Sequence, residues 1–142
     1  MKILVGGLVA LTVLFTGYVL YSTMVTNPGV IDELRDNPQG EVAFRVMLLT
    51  FADGRTIPVN YLQEGGIVYA GADGPWWRRL KEDAVVEVYI RGEALSGQAT
   101  VVLDDQDFVD DVFSRLRPAA PQWLPAWFNG KLIVIKLDTS PQ

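Results

Sequence analysis

The chain begins with a long apolar run and then changes to short alternating segments. Residues 3–21 contain no charged side chain and no Pro, Asn or Gln. As an α-helix this run is about 28 Å long, close to the hydrocarbon thickness of about 30 Å in a bilayer. The pattern therefore predicts one transmembrane helix, with the lipid bilayer as its partner through residues 3–21.

The apolar run has two other interpretations, a cleaved signal peptide and a buried core helix. A signal peptide usually has a shorter apolar region of about 7–15 residues that ends at small residues. The run here ends in Leu-Tyr-Ser-Thr-Met instead. A core helix of this length would show a polar stripe, and the run has none. The pattern favours the transmembrane helix.

The charges beside the run predict its orientation. Lys2 precedes it, while the first basic residue after it, Arg35, stands among acidic residues. The positive-inside rule then places the N-terminus in the cytoplasm. We expect a single-pass protein of a bacterial inner membrane, with the folded domain outside the cytoplasm.

A second segment, residues 23–41, is rich in turn signals. Asn-Pro-Gly at 27–29 and Asn-Pro-Gln-Gly at 37–40 flank a short VIDELRD sequence. This composition is typical of a linker with one helical turn. The chain then divides into an anchor at residues 1–22, a linker at 23–41 and one folded domain at 42–142, because about 120 residues support a single core.

Beyond residue 41, short runs of β-branched and aromatic residues alternate with Gly, Asp and Pro, as in antiparallel barrels and sandwiches. Asp53-Gly54 and Gly65-Gly66 are the signals of hairpin turns. The first run is apolar nearly throughout, so we expect both faces of that strand to be covered. The six predicted strands are residues 42–51, 55–63, 67–70, 84–91, 98–103 and 131–138.

Two helices are predicted between these strands. Pro75 suits the first position of a helix, and the sequence WWRRLKED after it predicts about two turns. Residues 108–117 repeat apolar side chains at spacings of three and four, so an amphipathic helix should pack on the sheet. The five aspartates of residues 104–111 fit the first turn of that helix, where the dipole favours negative charge. The fold class is therefore mainly β with flanking helices.

The composition excludes several classes of function. The chain has no Cys and no His, so it lacks thiolate chemistry and the commonest metal ligand, and we expect no metal. A net charge of −5 disfavours nucleic-acid binding, which depends on Lys and Arg at phosphates. The aromatics Trp123, Trp127 and Phe128 lie in the Pro-rich segment 118–130. They predict a membrane contact, a lid, a dimer contact or simple core packing.

Two stretches carry a resemblance to a known family, LLTFADGRTIPVNYLQEGGIVYAGADGPWWRRL and then VEVYIRGEALSGQATVV. Their order and spacing are similar to those of the deazaflavin-dependent nitroreductase and quinone reductase family. Its members show an LLTT-GR turn, a Pro-Leu-x-Tyr strand and a Trp-(Trp/Tyr)-x-x-Leu helix. The similarity covers about residues 45–102. It implies a six-stranded antiparallel split β-barrel of the flavin-binding type, here preceded by the transmembrane helix.

Barrels of this type usually bind FMN or a deazaflavin in a groove between two copies, so the resemblance implies such a cofactor and a homodimer. Carried over position by position, it assigns the cofactor contacts to Thr50, Arg55, Pro58, Asn60, Trp76, Trp77, Arg78 and Arg79. Most of these assignments have a structural alternative, and Arg55 and Asn60 could simply be polar residues of a turn and a strand face. The tryptophans could pack at the end of the barrel, and the two last arginines could pair with Glu82 and Asp83 along the helix.

The implied function is that of a membrane-anchored flavin- or deazaflavin-dependent reductase of a lipophilic acceptor such as a quinone. The alternative is a non-catalytic, membrane-tethered binding or assembly module derived from the same barrel. One departure from the family favours the alternative. The family's loop reads Gly-Arg-x-Ser-Gly, whereas Asp53-Gly54-Arg55-Thr56 runs directly into the next strand and adds a negative charge where a phosphate would bind.

Overall fold

A computed structural model describes residues 2–21, 27–118 and 130–138 of the chain. Six antiparallel strands form a closed barrel in the order β1-β2-β3-β6-β5-β4, and β4 pairs with β1 to close it. The mainly β fold with six strands and flanking helices is thus confirmed. The strands are β1 (Val46–Phe51), β2 (Thr56–Glu64), β3 (Ile67–Ala72), β4 (Val85–Ile90), β5 (Glu93–Val102) and β6 (Lys131–Leu137).

Two strands begin several residues away from their predicted starts, and the other bounds differ by at most two residues. The first begins at Val46 instead of residue 42, because Val42–Phe44 forms a 3₁₀ turn. The Arg45 amide closes this turn by donating a hydrogen bond to the Val42 carbonyl. The fifth begins at Glu93, five positions before its predicted start at 98. A tight turn at Arg91 and Gly92, both with positive φ, folds β5 back along the whole of β4.

The barrel interior is filled by alternate residues of every strand. Met47, Leu49, Val88 and Ile135 are fully buried there. Leu48, between two interior residues of β1, points outward and is also buried, at 3% exposure. Both faces of β1 are therefore covered, as the continuous apolar run predicts.

Helix α4 (Gln106–Leu116) covers part of the outside of the barrel. Asp105 caps it, since its carboxylate accepts a hydrogen bond from the Phe108 amide at 3.2 Å. The apolar side of the helix, centred on Val112 and Phe113, packs against Tyr69 and other outward residues of β3 and β6. The predicted amphipathic helix and its acidic first turn are confirmed, with the start two residues earlier.

Residues 27–36 form helix α2 (Asn27–Asp36). The sequence predicts only a linker with one helical turn here. The apolar positions Val30, Ile31 and Leu34 of the helix form one face, and Leu34 is only 2% exposed against Leu48 of β1. The turn signals at its two ends obscured this face in the sequence, because the helix holds only those three large apolar residues. Helix α2 therefore belongs to the packed part of the chain.

The first helix, α1, runs from Lys2 to Tyr21. Its large apolar side chains from Ile3 to Phe15 are between 57% and 91% exposed, so the alternative of a buried core helix is wrong. Within the described residues, no helix combines the length and the apolar character needed for a membrane span.

A 3₁₀ turn at Pro75–Arg78 continues into α3 (Arg79–Glu82), which together make the predicted two-turn segment after β3. Leu80 anchors it, at 4% exposure, against the barrel interior. The aromatics Trp123, Trp127 and Phe128 lie outside the described residues, so their predicted roles stay predictions.

Candidate functional site

The turn end of the β1–β2 hairpin holds two of the residues assigned from the resemblance, Thr50 and Arg55. The Thr50 and Thr56 hydroxyls are 2.8 Å apart and hydrogen-bonded to each other. The turn between them is closed by bonds between Phe51 and residues 54 and 55, with Gly54 at φ +89°. Arg55 is exposed, and its amide donates to the Asp53 carboxylate at 3.0 Å. The hairpin is therefore the short, bare turn that the sequence predicts.

Asp53 also binds Arg79, the last of the assigned residues. The Arg79 Nη1 donates to Asp53 Oδ2 at 2.8 Å, and the guanidinium carbon lies 5.4 Å from the centre of the Phe51 ring. The Arg55 amide, and then the charge and hydrogen bond of Arg79, lower the pKa of Asp53 below its ordinary 3.8. The expected pairing of this arginine with Glu82 or Asp83 is wrong for Arg79. Instead Asp53, brought close by the hairpin, neutralises it.

A cavity of about 370 Å³ lies between the hairpin and α3. It is lined by Phe51, Ala52, Asp53, Arg79, Glu82 and Asp83. Three carboxylates face one guanidinium there, so the potential is negative and disfavours an anion. The cofactor contacts that the resemblance assigns to Thr50, Arg55 and Arg79 stay a prediction.

A second group of assigned residues lines one groove on the outside of the barrel. Pro58 and Asn60 come from β2, and Trp76 comes from the 3₁₀ turn after β3. The half-buried Trp76 ring meets Phe51 edge-on, with ring centres 5.9 Å apart. The groove has a volume of about 190 Å³ and is completed by Val59, Gly71, Asp73, Gly74 and Arg117.

Arg117 is the residue of this groove that the sequence did not reveal. It follows the last turn of α4, and its Nη2 donates to Asp73 Oδ2 at 2.9 Å. Gly71 makes room for it, because a Cβ at that position would lie 2.6 Å from the same Nη2. No local signal points to Arg117, since only the packing of α4 on β3 brings it to the groove.

Trp77, beside this groove, is surrounded by positive charge. The charged groups of Arg78, Lys81 and Lys131 lie 5.5, 5.2 and 5.9 Å from the centre of its ring. We call these four residues the Trp77 cluster. Both Trp76 and Trp77 also pack against the barrel interior, as the structural alternative predicts for the tryptophans. Sequence reasoning named Arg78 but missed the two lysines, one of which comes from the other end of the domain.

The eight assigned residues thus fall into three neighbouring places instead of one. Thr50 and Arg55 lie at the end of the hairpin, and Arg79 of α3 is held there by Asp53. Pro58, Asn60 and Trp76 line the groove, and Trp77 and Arg78 belong to the Trp77 cluster. Within the part of the chain that the structure describes, no three Asp, Glu, His or Cys side chains are placed to hold a metal ion.

No protein-family model and no curated protein matches the chain. Solved structures do match it. A candidate pyridoxamine 5'-phosphate oxidase from Listeria innocua has a TM-score of 0.56 at 17% identity, over 67% of this chain and 85% of that one. An FAD-binding protein from Mesorhizobium loti has 0.52 at 18%, over 78% and 88%. A candidate 5-nitroimidazole antibiotic resistance protein from Bacteroides thetaiotaomicron has 0.50 at 14%, over 68% and 74%.

These similarities define the fold. The chain has the split β-barrel fold found in flavin-binding proteins and in relatives of pyridoxamine 5'-phosphate oxidase. At this level of identity the fold carries no specific activity. The closer resemblance to the deazaflavin-dependent nitroreductases stays a prediction.

Proposed function

We propose that this protein binds a flavin or deazaflavin and serves as a reductase of a lipophilic acceptor such as a quinone. The observation that carries the proposal is the groove. Three of the residues assigned independently from the resemblance, Pro58, Asn60 and Trp76, line it together although they come from two different elements. The groove combines the apolar side chains of Pro58 and Trp76 with polar groups such as Asn60, which could contact the face and the heteroatoms of a flat ring.

The size of the groove supports a homodimer. Sites for ligands of cofactor size have volumes of roughly 300–1,000 Å³, whereas this groove holds about 190 Å³. One chain therefore contacts only part of a flavin ring system. A second copy of the chain would supply the opposite wall, as in other barrels of this type.

The chemistry in this proposal is divided between cofactor and protein. A bound flavin or deazaflavin would supply hydride transfer, so the absence of His and Cys is no obstacle. The chain's own residues would bind and orient the ring. The Asn60 side chain, exposed on the outer face of β2, offers an amide donor and an acceptor to ring heteroatoms. The Trp76 indole offers an apolar edge.

The membrane tether is part of the same proposal. It is supported by the uncharged run at residues 3–21 and by the exposure of every large apolar side chain described in α1. A tether of this kind would bring the barrel close to an acceptor dissolved in the bilayer. Resistance of the membrane-bound protein to extraction by alkaline carbonate tests it, and release into the supernatant would contradict it.

A second function, a non-catalytic tethered binding or assembly module, is favoured by the Asp53–Arg79 pair. In that pair, Asp53 already binds one of the three arginines that the resemblance assigns to the cofactor. The expected orientation, with the domain outside the cytoplasm, points the same way, because a cofactor reduced in the cytoplasm would not reach it. A compartment-sensitive reporter at the C-terminus tests the orientation.

Ligand titrations of the full-length protein in a neutral detergent separate the two functions. We expect riboflavin, FMN or a deazaflavin to raise the melting temperature and to quench tryptophan fluorescence. Asn60→Ala should weaken the binding, whereas Thr100→Ala, an equally exposed strand residue on β5, should leave it unchanged. If none of the three ligands has an effect at millimolar concentration, the reductase is excluded and the binding module stands.

A further inference from the structure

We propose that the Trp77 cluster is a binding site for a phosphate-bearing anion, separate from the hairpin. Arg78, Lys81 and Lys131 all lie within 5.9 Å of the centre of one indole ring. No two of their charges can be farther apart than the sum of their distances to that centre. Three cations therefore surround one indole ring in a chain whose net charge is −5.

Within the described residues, none of the three cations of this cluster forms a salt bridge. The ion pairs of the described residues use Arg79, Arg115 and Arg117, and none of them involves Arg78, Lys81 or Lys131. The face of an indole attracts a cation, but only by about 0.5–1 kcal/mol at an exposed site. Mutual repulsion of three cations remains, and an anion bound among them would remove it.

The backbone brings Lys131 into this cluster by a close approach. Gly130 has φ +71°, and a Cβ at this position would collide with the carbonyl oxygen of Ala72. Only glycine lets the chain enter β6 here, where Lys131 pairs with Ala72 at the end of β3. The lysine then lies beside the turn that carries Trp77 and Arg78.

The chemical class of the anion follows from the donors. One planar guanidinium and two ammonium groups match the several oxygens of a phosphate or diphosphate better than the two oxygens of one carboxylate. The hairpin offers no such set, because Asp53 already holds Arg79. The phosphate can come from a soluble molecule or from a lipid headgroup. The site itself does not depend on whether the groove binds a flavin ring.

Calorimetric titration of full-length protein in a neutral detergent with inorganic pyrophosphate tests the site. We expect binding that weakens as salt is raised and that falls about tenfold in Lys131→Gln and in Arg78→Gln. Lys136→Gln is the matched control, because it removes one exposed charge from the same strand without touching the cluster. Melting curves identify any variant that has lost its fold. If one of the two cluster variants is unfolded, the binding measured with the other one tests the proposal.

The source of the phosphate is distinguished by a second arm. The indole Nε1–H signal of Trp77, assigned with Trp77→Phe, is followed while pyrophosphate or micelles containing phosphatidic acid are added, with phosphatidylcholine micelles as reference. A shift with pyrophosphate alone supports a soluble ligand, and a shift with phosphatidic acid alone supports a membrane headgroup. The proposal is overturned if neither probe moves this signal, or if Lys136→Gln weakens binding as much as Lys131→Gln. Riboflavin, which carries no phosphate, reports on the groove alone and keeps the two proposals apart.

Discussion

Asp53, in the turn between β1 and β2, holds Arg79 of α3 through a 2.8 Å hydrogen bond between opposite charges. Both side chains are about half exposed, at 59% and 41%, so the pair adds little to stability. Its larger effect is on ligands. The carboxylate sits where the resemblance expects a cofactor phosphate, and it repels one.

Removing this charge should therefore improve the binding of phosphate-bearing flavins. In Asp53→Asn the side-chain oxygen can still accept the hydrogen bond from the Arg55 backbone amide. Arg79, however, loses its counter-charge. We expect FMN to bind several-fold more tightly than to the unchanged protein, as measured by fluorescence titration. Riboflavin is the control, and an equal gain for riboflavin would show that the effect does not come from the phosphate.

The same carboxyl predicts a pH dependence. Its pKa is lowered in the folded protein, first by the Arg55 amide and then by Arg79. A lowered pKa contributes stability that is fully present above the unfolded value of 3.8 and is lost as the pH falls through the folded value. Urea unfolding of the parent and of Asp53→Asn should differ at pH 6, and the difference should shrink as the pH falls from 3.8 through the lowered folded pKa. A difference that persists unchanged into strong acid would contradict this.

Gly130 should be intolerant of substitution. In Gly130→Ala the Cβ meets the Ala72 carbonyl at positive φ, so we expect a loss of about 1–3 kcal/mol in the free energy of unfolding. Gly66→Ala is the matched control, because no atom lies within 4 Å of the added Cβ. Denaturation by urea measures both variants, and equal stability would show that β6 can enter the sheet by another path.

Leu34 tests whether α2 belongs to the folded unit. Leu34→Ala removes a side chain that is 2% exposed, and we expect a loss of about 2–4 kcal/mol. Val85→Ala, at a position 54% exposed on β4, should change the stability by less than about 0.5 kcal/mol. If both variants unfold like the parent, α2 is dispensable and the segment behaves as the linker first expected.

Tyr61 links the barrel to the turn after α2. Its buried hydroxyl donates to the Ala43 carbonyl at 2.8 Å. Tyr61→Phe should cost about 1 kcal/mol, because the carbonyl loses its partner. Tyr89→Phe provides a comparison at a half-buried tyrosine of β4 with no such bond among the described residues. Thermal melting of both variants measures this difference in stability. If Tyr61→Phe is as stable as the parent, water replaces the hydroxyl as the partner of the carbonyl.

The strands were predictable where burial alternates along them. Residues 57, 59 and 61 face the interior of the barrel, and their period of two was visible in the sequence. The first half of β5 was not, because Glu93-Ala94-Leu95-Ser96-Gly97 lacks an apolar alternation. It is a strand only because the turn at Arg91 and Gly92 pairs it with β4, a tertiary effect that outweighs local preference.

The residues of the candidate site also divide into those visible in the local sequence and those that depend on tertiary contacts. The groove positions Pro58, Asn60 and Trp76 were named from sequence because they lie in or next to the resembling stretches. Arg117 and Lys131 were missed, since they reach the site through the packing of α4 and the closure of the barrel. Long-range contacts of this kind leave no spacing that a sequence pattern can reveal.

The docking of α2 on β1 limits how far the barrel can move from α1. Helix α2 packs on the barrel through Leu34, and the six peptide steps from Tyr21 to Asn27 span about 22 Å at most when fully extended. The end of α1 therefore cannot be farther than that from the start of α2. A partner that α1 holds in place meets the barrel at high effective concentration, and weak contacts at the Trp77 cluster or the groove would then suffice.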